Sequence, residues 1–322
     1  MNKALIGIDR SGSFRVYLAI TTDMAEDARK IHNTSPTATS ALGRVLTGAG
    51  LMGLMLKNDK DKLTVQFKGD GPAGEILATA SGSGNVKGYI SNPDVELPLL
   101  ADGRPDVGGA VGIGVVTVIK DQGLKEPYVG RIDLVSGEIA EDLTAYFFIS
   151  EQQSTSVALG VKVDTDGTVA AAGGMIIQML PNAEPDCVDA LENLLYKLPS
   201  FSNLVDKASE NEGESDEEVC DNLLHKIFDN MPPEFHVSAL EYRDIRWKCD
   251  CSTERLERVL LSIGEEDLTH ILEEDGKADI TCQFCTREYH FDKEHLEMLL
   301  RVATRSREIL ENRRKNKEGQ PC

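Results

Sequence analysis

The chain has 322 residues, 41% of them hydrophobic, and a formal net charge of −20, which allows two domains or one sizeable core with a small module. That acidity argues against nucleic acid as the main partner, because a phosphate backbone calls for a basic footprint. It keeps a protein dispersed, and would serve equally one that must expose apolar surface without aggregating.

The opening segment meets Asp9 too early for a secretory apolar region. The most apolar stretch, Val45 to Leu56, has twelve residues with three glycines and is too short to span a bilayer. No membrane partner is expected. Seven cysteines in a leaderless chain point to a reducing, cytoplasmic compartment, where clustered cysteines are metal ligands or redox groups more often than structural disulfides.

Residues 1–180 read as a mixed α/β domain. Phe14, Val16, Leu18 and Ile20 alternate with Ser13, Arg15, Tyr17 and Ala19, the period of a half-buried strand. The pattern recurs at Leu63-Val65-Phe67 and at Val157-Leu159-Val161-Val163. Asp23 suits the cap of a helix running towards His32, and Pro36 the first turn of another ending near Lys57. That second helix carries Gly43, Gly48, Gly50 and Gly53. Each costs about 1 kcal/mol relative to alanine, so the run implies close packing against a neighbour. Further strands are expected at Gly74–Thr79, Val86–Ser91, Val111–Ile119 and Tyr128–Val135, with a helix from Glu138 to about Ser150.

The glycine loops Gly69-Asp70-Gly71-Pro72 and Ser81-Gly82-Ser83-Gly84 match neither the P-loop nor the dinucleotide fingerprint. They read as hairpin turns. No nucleophile elbow or zinc-protease motif occurs, and His32, the one histidine before residue 225, reads as a cap or packed residue rather than a base. The protein is not expected to be an enzyme.

Residues 181–234 read as a metastable acidic helical linker. Val188, Leu191, Leu195 and Leu198 mark one amphipathic helix, closed by Pro199. Asp206 to Asp221 then holds eight acidic residues against the single Lys207, a composition that resists burial. A second apolar patch, Leu223-Leu224 with Ile227-Phe228, stops at Pro232-Pro233. Such short helices are weak alone and need something to pack on.

Residues 235–322 form the last module. Ser252 is a good N-cap for a helix with Leu256, Val259, Leu260 and Ile263 on one face; Gly264 closes it, and a second helix covers Glu265 to Glu273. Ile280 to Cys285 reads as a strand into a knuckle, with Tyr289-His290-Phe291 returning. Asp292 caps the last helix, and Phe291 and Leu296 are placed for a hydrophobic staple. The tail Arg313-Arg314-Lys315-Asn316-Lys317 reads as a solvated helix end.

The chemistry of this module lies in Cys249-Asp250-Cys251 and Cys282-Gln283-Phe284-Cys285, separated by thirty residues. Two close pairs on two turns can converge on one tetrahedral Zn²⁺. Each pair is also close enough to form its own disulfide if the metal leaves, although a C-x-C bridge is strained and easily reduced. A structural Cys₄ knuckle that folds only its own domain is the ordinary reading of such a tetrad. His270, His290 and His295 are spare donors that four thiolates make unnecessary. Cys187 and Cys220 read as incidental thiols, and Cys322 as an exposed tail thiol.

Taken together these stretches resemble the 33 kDa chaperonin family, the redox-regulated heat shock holdases of bacteria and some organelles. The resemblance covers nearly the whole chain. It rests on His32-Asn33-Thr34-Ser35-Pro36 leading to Ala41-Leu42-Gly43-Arg44, on Gly69-Asp70-Gly71-Pro72, on Gly88-Tyr89-Ile90-Ser91-Asn92-Pro93, and on the two cysteine motifs with Ser252. It implies an α+β chain: a mixed α/β core, a helical linker and a small C-terminal zinc-binding redox-switch domain. It implies one zinc on Cys249, Cys251, Cys282 and Cys285 when reduced and inactive. On oxidation it implies the disulfides Cys249-Cys251 and Cys282-Cys285, loss of the metal, and unfolding of module and linker to expose a client surface. The implied partners are unfolding client proteins, foldase chaperones downstream, and a second copy when oxidised. The chain departs from the family in its very acidic run Glu210–Glu218 and its extra cysteines.

The residues fit that switch physically. A module of about eighty residues has a small core, to which structural zinc supplies on the order of 10–16 kcal/mol. The implied function is therefore an ATP-independent holdase gated by oxidation. A constitutive zinc-ribbon protein docking nucleic acid or a protein partner is the alternative, against which the charge and the C-x-C pair weigh. A thiol oxidoreductase using Cys282 and Cys285 ranks last, because the motif does not open a helix after a strand in a thioredoxin-like unit.

Overall fold

A computed structural model describes residues 1–181, 183–209 and 213–318, with side chains of the last helix given as far as Arg305. By contacts the chain divides into Met1–Lys248 and Cys249–Cys322.

The first unit runs β1 (Lys3–Asp9), β2 (Phe14–Ile20), α1 (Thr22–His32), α2 (Pro36–Leu54), β3 (Lys62–Gly69), β4 (Glu75–Ser81) and β5 (Asn85–Ile90). It continues with α3 (Val107–Val111), β6 (Gly114–Asp121), β7 (Tyr128–Asp133), α4 (Ala140–Ile149), β8 (Thr155–Val163) and β9 (Val169–Met179). Three helices follow, α5 (Pro185–Lys197), α6 (Phe201–Ala208) and α7 (Asp216–Phe228), then strands β10 (Val237–Asp244) and β11 (Arg246–Trp247). Among the described residues these strands form two sheets, ordered β10-β1-β2-β9-β8 and β11-β5-β4-β3-β6-β7. The chain is thus α+β, as expected.

Helix α2 lies between the two sheets. It touches β3, β4 and β5 of one and β2, β8 and β9 of the other, and every residue from Thr37 to Leu54 is buried. A helix apolar on all sides belongs in such a layer. Its glycines make the layer thin. A Cβ at Gly48 would come within 2.7 Å of Leu143, and one at Gly53 within 2.9 Å of Ala80. Pro36 opens its first turn, as expected, and Ser35 caps it, accepting from the Ala38 amide at 3.2 Å. Asp23 does not cap α1. It sits inside the first turn, where its carboxylate takes the Met1 amino group.

Strand β2 was expected to be buried on one face; it is buried on both. Phe14, Val16, Leu18 and Ile20 face one apolar cluster, while Tyr17 and Ala19 face the cluster built on α2. The first of those clusters is completed by the linker. Phe201, Leu204 and Val205 of α6 and Val219, Cys220, Leu223, Leu224, Ile227 and Phe228 of α7 pack on it with Met175 and Ile177 of β9. Phe228 stacks at 5.8 Å from Phe14. The linker's apolar faces therefore cover the sheet surface opposite α2.

The strand expected to begin at Val111 begins at Gly114 instead, because residues 107–111 close a helical turn and Gly112 reverses the chain at φ +74°. The two glycine loops join antiparallel strands, β3 to β4 and β4 to β5, as hairpin turns do. The His32 ring meets the Gly88 carbonyl at 3.0 Å and the edge of Trp247 at 5.9 Å, a packed position. Residues 237–247, read from sequence as part of the last module, are sheet strands of the first unit: β10 pairs antiparallel with β1 from Lys3↔Asp244 to Asp9↔Val237, and β11 pairs with β5.

The second unit holds α8 (Thr253–Ile263), α9 (Glu265–Glu274), the hairpin β12 (Ala278–Thr281) and β13 (Glu288–Phe291), and α10 (Lys293–Glu318). Ser252 caps α8 by accepting from the Arg255 amide at 3.3 Å, and Asp292 caps α10 by accepting from the His295 amide at 2.9 Å. Phe291 and Leu296 are both buried, as the staple requires. Among the described side chains the buried core here is Leu260, Leu268, Phe291, Leu296 and Leu299.

Candidate metal centre

Cys249 and Cys251 stand on the extended segment that leads into α8, and Ser252 fixes that entry through its cap. Cys282 and Cys285 stand on the turn between β12 and β13. This knuckle is tied by the Cys282 amide donating to the Arg287 carbonyl at 2.9 Å and the Thr286 amide donating to the Cys282 carbonyl at 2.8 Å. Thr286 takes φ +56° to close it.

The two turns bring four sulfurs together, all within 4.8 Å of one another and each half-buried. Cys249 and Cys282 are 3.7 Å apart, and Cys251 and Cys285 3.3 Å. A tetrahedral ion with metal–sulfur bonds of about 2.3 Å needs sulfurs about 3.8 Å apart. The donor set and its spacing therefore fit one metal ion of thiolate preference. Among the described residues this is the one group of side chains arranged to hold a metal.

Tyr289 completes the surroundings. Its hydroxyl donates to Cys251 Sγ at 3.0 Å. Burial opposes the Cys251 thiolate, but the Tyr289 hydroxyl and then the neighbouring thiols outweigh it and hold the group near 7. Burial instead pushes the Cys249 and Cys285 thiols up. From sequence Tyr289 was read as part of the return strand alone; the available signal was its place four residues after Cys285 in a hairpin that folds back on the knuckle.

The spare donors are engaged elsewhere. His295 Nε2 meets Glu257 at 2.8 Å, His270 Nε2 meets Glu274 at 3.3 Å, and His290 pairs with Asp279. Cys187 and Cys220 are buried in the first unit. Cys322 lies outside the described residues, and the basic run 313–317 outside the described side chains.

A family model described as Hsp33 protein matches residues 3–292. The chain belongs to the Hsp33 family. It is 46% identical to the 33 kDa chaperonin of Alkaliphilus oremlandii over 299 residues, covering 92% of this chain and 96% of that one. It is 45% identical to the 33 kDa chaperonin of Clostridioides difficile over 292 residues, covering 90% and 96%. The crystal structure of the 33 kDa chaperonin (Heat shock protein 33 homolog) from Thermotoga maritima is similar with a TM-score of 0.80 at 36% identity, over 94% of this chain and 98% of that one. No helix among the described residues is long and apolar enough to cross a membrane.

Proposed function

We propose that this protein is a cytoplasmic, ATP-independent holdase whose client surface is uncovered by oxidation of Cys249, Cys251, Cys282 and Cys285. The observation that carries the reading is the position of the four sulfurs: they converge in a unit whose buried core, among the described side chains, is five apolar residues. When bound, one Zn²⁺ on these four thiolates supplies on the order of 10–16 kcal/mol to such a fold.

Oxidation removes the donors. Each S–S bond joins two thiolate sulfurs and gives up two electrons; hydrogen peroxide accepts them as its O–O bond breaks, and two protons from solvent complete two waters while the metal ion leaves. In the folded unit Cys249 lies 3.7 Å from Cys282 and Cys251 lies 3.3 Å from Cys285, so the cross pairs are also within reach. We assign the bonds to Cys249-Cys251 and Cys282-Cys285, the pairing that the family resemblance implies, each joining cysteines close in sequence.

The linker follows. Helices α6 and α7 are too short to persist alone, and the acidic run between them repels itself. Their departure bares Phe14, Val16, Leu18 and Ile20 of β2 with Met175 and Ile177 of β9, together with the helices' own apolar faces. That surface takes unfolding clients and needs no nucleotide. Light scattering of a heat-denatured client tests the proposal: protection is expected after peroxide treatment and not before. Equal protection by the reduced, zinc-loaded protein at low temperature removes the gate.

A further inference from the structure

A groove with a volume of about 560 Å³ opens between α5 and the end of α7. Leu204 of α6, Ile227 of α7 and Met231 line it, and all three are buried members of the cluster that covers β2 and β9. From α5 come the half-buried Leu194 and Leu198, which the i, i+4 spacing sets on one helix face. Small-molecule sites enclose about 300–1,000 Å³ and are mostly apolar, with a few polar groups that fix the ligand's orientation. This groove has that size and that make-up.

Its polar groups are the ammoniums of Lys197 and Lys226 and the amides of Asn193 and Asn230. Each lysine stands in the last turn of its helix, where a cation complements the helix dipole. That role does not account for the company they keep. No carboxylate lines the groove, in a chain of 54 acidic residues against 34 basic ones. Neither lysine forms an ion pair among the described residues. Asp229, one turn beyond Lys226, is taken instead by His225 at 3.1 Å. Both lysines are exposed, and a lysine so placed lays its methylene stem on apolar surface while its ammonium stays in water. The groove therefore offers an apolar slot under two cations from two different helices.

We propose that this groove binds a single-chain carboxylate of the fatty-acid class, free in solution, with its alkyl chain along Leu194, Leu198 and Ile227 and its head group at Lys197 and Lys226. A neutral chain would leave the two cations unused. A polyanion would leave the apolar lining unused and would meet a chain of net charge −20. A ligand seated there touches both α5 and α7, so it stabilises the folded linker by mass action. Binding needs no oxidation and does not rest on the redox reading.

Isothermal titration of the full-length, zinc-loaded protein under reductant tests it, using octanoate, decanoate and dodecanoate below their micelle concentrations, with circular dichroism melts of each protein. One equivalent should bind, and the dissociation constant should fall about tenfold for each added pair of methylenes. Decanoate should raise the melting temperature as it binds. Lys197→Glu and Lys226→Glu should each weaken decanoate about fivefold, and the double variant at least tenfold. That double variant should instead take decyltrimethylammonium, which the parent should refuse. No saturable binding below the micelle concentration, or a double variant that binds decanoate like the parent, would overturn the proposal. A melting temperature lowered by decanoate would do the same, since it marks binding to the unfolded chain. So would decanol or decyltrimethylammonium binding the parent as tightly as decanoate, which would assign the groove to apolar segments of other proteins.

Discussion

The Tyr289 hydroxyl donates a hydrogen bond to Cys251 Sγ across 3.0 Å. Groups that bond a ligand atom from outside the metal's own shell orient it and tune its basicity, and their loss typically costs about 10–100-fold in metal affinity. Tyr289→Phe should weaken zinc binding by that order in chelator competition, with the fold of the first unit unchanged. An unaltered zinc affinity would mean that the bond does not contribute in the loaded site.

Single substitutions Cys249→Ala, Cys251→Ala, Cys282→Ala and Cys285→Ala should each abolish stoichiometric zinc in metal analysis. Each leaves three thiolates where a closed structural site needs four donors. On the proposed reading a bound zinc supplies much of the stability of this unit, so each variant should also lose the helical signal of α8 and α9. Undiminished zinc in any one of them would remove that cysteine from the site.

Much of this site was legible in the chain. The four cysteines, the Ser252 cap, the Gly264 break and the Asp292 cap are local signals, and each depends only on near neighbours. The covering of the β-sheet was not legible. The amphipathic faces of α6 and α7 predict that they pack on something, but nothing near them in sequence names Phe14 or Met175. Strand β9 carries no alternating signal for a related reason. It is buried on both faces, so Ala171, Ala172, Gly173 and Gly174 sit where alternation would place large and polar residues. Sequence proximity groups β10 with the last module, but its partner is β1, at the far end of the chain.

Cys220 reports on that covering. It is fully buried on α7, and its thiol donates weakly to the Lys3 carbonyl at 3.7 Å. Burial first, and the nearby Asp216 next, push the thiol up to about 12, so at neutral pH it is an unreactive, protonated group. In the reduced protein it should resist alkylation. Once the linker leaves the sheet it should react at the rate of an ordinary free thiol, a gain read by quenched labelling and mass spectrometry. Protection retained after oxidation would mean that α7 stays in place.

The contact between Phe228 and Phe14 offers a way to loosen the linker without touching a cysteine. Truncating a buried phenylalanine costs about 3–5 kcal/mol, more than a short helix holds in reserve. Phe228→Ala should therefore keep its zinc when reduced yet suppress client aggregation measurably better than the reduced parent. Identical behaviour of the two would separate the linker's position from activity.

In the proposed switch, oxidation unfolds the second unit and frees the linker while the core persists. Hydrogen exchange resolved by peptide, comparing reduced and peroxide-treated protein, tests it most directly. The oxidised protein should exchange fast from Cys249 onward and in α6 and α7. It should keep protection in β3 and β8, whose packing against α2 does not involve zinc, and part of it in β10, which β1 holds through a ladder of seven register pairs. Protection retained across α8, α9 and the β12–β13 hairpin after oxidation would rule out the unfolding switch and leave the four cysteines as a plain structural metal site.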